Sequence, residues 1–139
     1  MIKHLLIFGL ISVIIISGCI QEGINISDLK KEIDNYVGKN ITVNGKLSFA
    51  CPSMPGASFP KDCIAEICDN ECKNGLDLHF DSSTSGIREM LNGYYDESFQ
   101  KNVSVSVTGL LVKNECPPND NACIVTYFIQ VYNAKVISS

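Results

Sequence analysis

Four stretches of this chain alternate apolar and polar side chains with a period of two, which is typical of β-strands that bury one face. Their apolar positions are Ile41, Val43, Leu47 and Phe49; Leu76, Leu78 and Phe80; Val103, Val105 and Val107, continuing through Gly109 into Leu110; and a β-branched and aromatic stretch from Cys123 to Ile137. Gly45, inside the first stretch, favours a bulge or a sharp bend. The alternation therefore predicts a mainly β fold.

Two short helices are expected between these strands. Ser27 is a candidate N-cap for a helix that would end at Gly38, since serine favours caps and glycine favours helix ends. Ser85 is a candidate cap for a second helix, which Gly93 would weaken. Residues 50–75 contain prolines, glycines and cysteines with no clear period, although a short helix or strand fits around residues 62–68.

The N-terminus combines Lys3, an apolar run over residues 5–16 and the sequence ISGC at residues 16–19. It resembles the lipobox of exported lipoproteins, in which a peptidase cuts before a cysteine that carries diacylglycerol. The resemblance implies a signal peptide at 1–18, lipidation of Cys19, a tether at 19–26 and a domain at 27–139 on the extracytoplasmic side of the cell membrane. The alternative is a retained membrane-spanning helix, but spanning takes about 20 apolar residues.

The net charge of the chain limits which molecules it can bind. The chain has 11 Lys and Arg against 15 Asp and Glu, and loss of residues 1–18 would remove Lys3. An acidic domain is a poor partner for nucleic acid, whose phosphates demand a basic surface. We therefore expect no nucleic-acid binding, and membrane attachment through the lipid rather than through charge.

Six cysteines follow Cys19, and in a small exported domain an even number is typical of a disulfide framework. Cys116 and Cys123 flank a turn-rich loop, so we expect them to pair. The other four would pair among themselves in an order that the sequence leaves open: Cys51, Cys63, Cys68 and Cys72. An iron–sulfur or zinc site is the rival interpretation, but the spacings do not match the common patterns for either.

Three segments are similar to strands of small exported OB-fold domains: residues 37–47 (VGKNITVNGKL), 102–110 (NVSVSVTGL) and 127–137 (YFIQVYNAKVI). The resemblance implies a five-stranded Greek-key barrel, here stapled by disulfides and interrupted by a Cys-rich insert at 50–75. OB-folds bind oligonucleotides and oligosaccharides on one face and its flanking loops.

One strand carries the candidate site. Alternation places Asp77, His79 and Asp81 on one face, where two carboxylates and an imidazole could hold a metal or orient a general base. The solvent-exposed face of an ordinary amphipathic strand, with no binding role, would show the same pattern. Six aromatic residues could form a stacking platform or pack in the core: Tyr94, Tyr95, Phe99, Tyr127, Phe128 and Tyr132.

The sequence favours a non-enzymatic binding module with no cofactor, whose partner would be a glycan, a peptide or an envelope protein. A metal-assisted enzyme using Asp77, His79 and Asp81, or a structural envelope component, are the alternatives. The oligomeric state stays open. Three sequons, at Asn25, Asn40 and Asn102, would accept glycans if the host glycosylates exported proteins.

Overall fold

The computed structural model describes residues 23–139, which form a mainly β structure with one six-stranded sheet. The expected signal peptide at 1–18 and the expected lipidation site at Cys19 lie outside these residues. The strands are β1 (Ile24–Asn25), β2 (Asn40–Ala50), β3 (Ile64–Cys68), β4 (Gly75–His79), β5 (Ser104–Asn114) and β6 (Thr126–Ser138). The predicted mainly β class is confirmed. β1 lies within the segment expected to be a tether. Ile24 pairs there with Val43 of β2 in parallel, so this part of the segment belongs to the sheet.

Strand pairing follows the order β1-β2-β3-β4-β6-β5, and β2 also pairs with β5. β2 therefore uses both of its edges: its second half pairs with β3, from Lys46 opposite Cys68 to Ala50 opposite Ile64, and its first half pairs with β5. β4 and β6 are parallel, whereas β5 and β6 form a long antiparallel ladder.

Two glycines allow close approach of neighbouring strands. A Cβ on Gly109 would collide with the backbone oxygen of Gln130, at a register shift between β5 and β6. A Cβ on Gly45 would lie 2.7 Å from the backbone oxygen of Cys68. β2 changes its pairing partner from β5 to β3 near Gly45, and the missing side chain lets the strands approach each other closely there. The bulge that the sequence favours at Gly45 is not present in the pairing with β5, whose register runs without a shift from Asn40 to Lys46, and Gly45 instead allows a close approach.

The structure has three α-helices rather than two: α1 (Ile26–Lys31), α2 (Ser85–Asn92) and α3 (Tyr95–Gln100). Two 3-10 segments accompany them, at Ile33–Tyr36 and Ser82–Thr84. The expected helix from Ser27 to Gly38 is wrong in extent, because α1 ends at Lys31 and the chain continues as a 3-10 turn. Its cap is Asn25, whose Oδ1 accepts from the Ser27 amide at 2.9 Å.

Each long strand contributes to one apolar core. Inward positions are almost fully buried, as the alternation predicts for Val43, Leu47, Leu78 and Val107. The same is true of inward residues that the alternation did not identify: Ile67, Leu111, Ile129 and Val131. α1 adds Leu29 and α2 adds Leu91, both 0% exposed. None of the helices formed by residues 23–139 is long and apolar enough to cross a membrane.

The first 3-10 segment is tied to the β5–β6 ladder by side chains. Asp34 Oδ1 accepts from the Tyr127 hydroxyl at 2.8 Å and from Lys113 Nζ at 3.1 Å. These two donors, Tyr127 first, hold the pKa of the Asp34 carboxyl below its ordinary value.

Three disulfides join the six predicted cysteines. The pairs are Cys51–Cys63, Cys68–Cys72 and Cys116–Cys123. The prediction of a disulfide framework is confirmed, and the last pair is the one that the turn-rich loop indicated. The first two bridges settle the order that the sequence left open within residues 50–75.

Candidate functional site

The outward side chains of three neighbouring strands form a continuous surface. β3 contributes Ile64 and Glu66, β4 contributes Asp77 and His79, and β6 contributes Phe128 and Gln130; we call these six residues the β3–β4–β6 face. Glu66 lies opposite Asp77, which lies opposite Phe128, while His79 lies opposite Gln130. The alternating residues Ala65, Ile67, Leu76, Leu78 and Ile129 point inward and are buried. Packing of the core therefore fixes which side chains reach this face.

Two carboxyl groups meet on this face. Glu66 and Asp77 are direct cross-strand neighbours, and Glu66 is half-buried. Burial raises the pKa of Glu66, and the charge of Asp77 and a hydrogen bond to it act in the same direction. Like charges directly opposite each other weaken a sheet. The pair can therefore accept hydrogen bonds from a ligand, and Glu66 releases its proton less readily than an ordinary glutamate.

An aromatic stack lies beside the carboxyl pair. The His79 and Phe128 rings are nearly parallel, with a centroid separation of 3.9 Å and an interplanar angle of 16°. His79 is exposed and Phe128 is half-buried, so the stack offers a flat apolar surface next to polar groups. Gln130 adds an amide that both donates and accepts.

Two cavities that share Arg88 lie between this face, α2 and the loop that contains Pro60 and Lys61, and we call them together the groove. One cavity of about 260 Å³ is lined by residues that include Ile64, His79, Phe80, Gln130 and Arg88. A second, of about 300 Å³, is lined by Pro60, Lys61, Ser85, Arg88, Glu89 and Asn92. Arg88 lines both cavities. Its Nη2 donates to the backbone oxygen of Lys61 at 2.8 Å, which ties α2 to the Cys51–Cys63 loop.

The disulfides lie at the two ends of the face. Cys63 immediately precedes β3 and its bridge to Cys51 closes the loop at one end. Cys68 is the last residue of β3, and its bridge to Cys72 closes the turn toward β4. The third bridge closes the loop that leads into β6. The connections from β2 to β3, from β3 to β4 and from β5 to β6 each contain a bridge, whereas the connection that follows β4 contains none. The bridges therefore limit the motion of three of the loops around the face.

The structure does not gather the three residues expected to hold a metal. Asp77 faces Glu66, and His79 stacks on Phe128. Asp81 Oδ1 instead accepts from the amides of Ser83 and Thr84, at 2.8 and 3.1 Å, and caps the 3-10 segment before α2. Across residues 23–139, no group of three His, Cys, Asp or Glu side chains is arranged to hold a metal ion. Asp81 serves as a cap, so no observation favours the metal-assisted enzyme.

Sequence reasoning missed Glu66 and Arg88. Ala65 and Ile67 alternate with Glu66, but this five-residue strand is hidden within a Cys-rich segment that shows no longer period. Arg88 lies on the exposed side of α2, where arginine is common, and only the contact with Lys61 distinguishes it. Phe128 was considered only as one of six aromatic residues.

No protein-family model matches the sequence, and comparison with curated proteins finds no match. Two solved structures are similar in part. OBody AM3L09 bound to hen egg-white lysozyme is 10% identical with a TM-score of 0.48, over 74% of this chain and 85% of that one. OBody AM2EP06 bound to hen egg-white lysozyme is 10% identical with a TM-score of 0.49, over 74% and 83%. A likeness at this level does not identify a function.

Proposed function

We propose that this protein is a membrane-anchored, non-enzymatic binding module that uses the β3–β4–β6 face to hold its partner. The partner would be a glycan, a peptide or another envelope protein. The observation that carries the proposal is the combination on one face of a carboxyl pair, a stacked imidazole and phenyl ring and an amide, with cross-linked loops at its ends. Such rigid loops lower the ordering cost of binding.

The proposed architecture is a five-stranded OB-fold-like Greek-key barrel. It is supported by the pairing of β2 with β5 together with the series β2-β3-β4-β6-β5, which joins every long strand to two others. Thr42 and Thr108, on β2 and β5, also have hydroxyl oxygens 2.9 Å apart. Backbone NOEs between Val43 and Val107 in solution test this pairing, and their absence would leave an open sheet.

The proposed location is the extracytoplasmic side of the cell membrane, with a lipid on Cys19. It is supported by Lys3, the apolar run and the ISGC sequence. The four peptide bonds from Cys19 to Gly23 span at most about 14 Å, so the lipid would hold the domain close to the bilayer. Intact mass measurement on protein from its host should give a chain that begins at a diacylglyceryl Cys19. A chain that retains Met1 would contradict the anchor.

Site-specific photo-cross-linking in native membranes tests the binding face. Gln130→benzoylphenylalanine places the probe on the face, whereas Tyr132→benzoylphenylalanine places it on the same strand, beyond the pairing with β4. We expect a discrete cross-linked product only with the probe at position 130. Equal labelling at both positions, or none at either, would contradict the binding face and favour a structural envelope component.

A further inference from the structure

The groove that passes Arg88 differs in charge from the rest of the molecule. Arg88 and His79 are the only ionisable side chains that line the first cavity, and Lys61 joins Arg88 in the second, where Glu89 is the single acid. The whole chain has a net charge of −4. Apart from Arg88, His79 and Gln130, the first cavity is lined by apolar residues, so within residues 23–139 no acid faces Arg88 there. A cation without a facing acid, on an acidic protein, is complementary to a negative group on a ligand.

Arg88 has donors to offer such a group. Within residues 23–139 it forms no ion pair, and its one hydrogen bond, to Lys61, comes from Nη2. A guanidinium has five N–H donors in a planar fork that matches a carboxylate in two parallel bonds. The bond to Lys61 holds the side chain where it lines both cavities and leaves the remaining donors for a ligand.

The side chains around Arg88 favour a ligand with one negative charge over a ligand with many. Glu89 borders the second cavity, and Glu66 and Asp77 lie on the adjoining face. These carboxyl groups would repel a chain of closely spaced phosphates. They are instead suitable acceptors for hydroxyl groups. The groove thus fits a ligand that is rich in hydroxyls and carries an isolated carboxylate.

Strand pairing argues against a peptide that binds by adding a strand. β3 pairs with β2 and β4, β4 pairs with β3 and β6, and β6 pairs with β4 and β5, so none of the three strands of the face offers a free edge along these pairings. Peptide recognition by strand addition requires such an edge. A sugar chain needs no edge, because it can pack against the His79–Phe128 stack and hydrogen-bond to the side chains around it.

Given the proposed binding function, on which this inference depends, we propose that the groove binds an oligosaccharide with an internal carboxylate, such as a uronate unit, and that Arg88 pairs with that carboxylate. Because Arg88 lines both cavities, the chain extends in both directions from the charged unit. Neighbouring sugar units then lie against the aromatic stack on one side and against Ser85 and Asn92 on the other.

Calorimetric titration of the full-length protein in detergent tests this with a trisaccharide that carries one central glucuronate between two neutral sugar units, and with its methyl ester, which lacks the charge. We expect the acid to bind the wild type about 10- to 100-fold more tightly than the ester, the usual range for a charge-assisted pair. Arg88→Ala should lower the affinity for the acid to that for the ester, and Arg88→Lys should recover part of it. Lys135→Ala, which removes an exposed cation elsewhere on β6, should leave the affinity unchanged.

Equal binding of the acid and the ester would overturn the inference, as would an Arg88→Ala variant that binds the acid normally. Absence of binding by either probe would also overturn it. Tighter binding of the peptide Gly-Glu-Gly than of the glucuronate trisaccharide, lost in Arg88→Ala, would replace the sugar with an acidic peptide and so contradict the proposal. Each of these failures is distinguishable from failure of the binding face itself, because photo-cross-linking at position 130 would still succeed.

Discussion

The β5–β6 ladder and the β3–β4 pair are stabilised in different ways. β5 and β6 pair along their length, from Ser104 opposite Ser138 to Asn114 opposite Thr126, and place fully buried valines and leucine in the core. The β3–β4 pairing extends only from Glu66 opposite Asp77 to Cys68 opposite Gly75, and bridges close the chain at both ends of β3. Long apolar ladders supply stability, whereas the short, cross-linked strands carry the candidate site.

The largest expected effect lies in the long ladder. Leu111 of β5 is 0% exposed, and its truncation in Leu111→Ala should lower the free energy of unfolding by about 2–5 kcal/mol through lost burial and a residual cavity. Leu78→Ala is the matched variant in β4. Leu78 borders the groove, so water can fill the space and the loss should lie near the lower end of that range. Denaturant unfolding measures both, and a larger loss for Leu78→Ala would reverse the comparison.

Removal of the first bridge should affect the short strands most. Cys51→Ser combined with Cys63→Ser frees a loop whose cysteines are 12 residues apart, and should lower the free energy of unfolding by about 2–4 kcal/mol. Cys116→Ser combined with Cys123→Ser is the control, because it opens a shorter loop outside β3 and β4. Thermal and denaturant unfolding measure the losses. An unchanged stability after removal of the first bridge would show that packing alone orders this region.

Substitution of a glycine by alanine should be tolerated less well in the β5–β6 ladder than in a helix. Gly109→Ala places a methyl group against the backbone of Gln130 and should lower the free energy of unfolding by about 1–3 kcal/mol through overpacking. Gly86→Ala in α2 meets open space and should raise it by about 0.4–1 kcal/mol. Denaturant unfolding compares the two. Equal effects of the two substitutions would contradict the close approach of β5 and β6.

The smallest expected effect concerns the carboxyl pair. Because the pKa of Glu66 is raised in the folded protein, its contribution is fully favourable below the pKa of the unfolded chain and is lost as the pH rises through the folded pKa. Glu66→Gln removes this loss and should raise the free energy of unfolding at pH 7 by about 0.2–1 kcal/mol. At pH 3 the two proteins should be equally stable.

Glu115→Gln, at an exposed position in the β5–β6 connection, provides the control for that titration and should show no gain at pH 7. Unfolding measured from pH 3 to pH 8 distinguishes the two variants. A gain of the same size in both would show that net charge, and not the Glu66–Asp77 pair, is the cause.

The same contrast explains what the sequence could predict. β2, β5 and β6 are long enough for apolar alternation to appear clearly, so their existence could be read from positions such as Val43, Val107 and Ile129. β3 has only five residues, and the last of them, Cys68, forms a disulfide. The sequence alone does not show which cysteine pairs with it.

The candidate site could be predicted only in part. Asp77 and His79 were expected on one outward face, and they do lie on it, but Asp81 follows the end of β4 and caps the next segment. The neighbours that define the site, Glu66 and Phe128, come from other strands. Their proximity depends on strand register, which no local pattern in the chain specifies.

Hydrogen exchange at single amides tests most directly whether the bridges hold the β3–β4–β6 face in place. The measurement compares the wild type with the Cys51→Ser and Cys63→Ser double variant. We expect the amides of Ile67 and Leu78 to lose protection in the variant, while those of Val107, Leu111 and Ile129 keep theirs. Loss of protection in the β3–β4 pair and the β5–β6 ladder together, or in neither of them, would contradict a role of the Cys51–Cys63 bridge in holding the face.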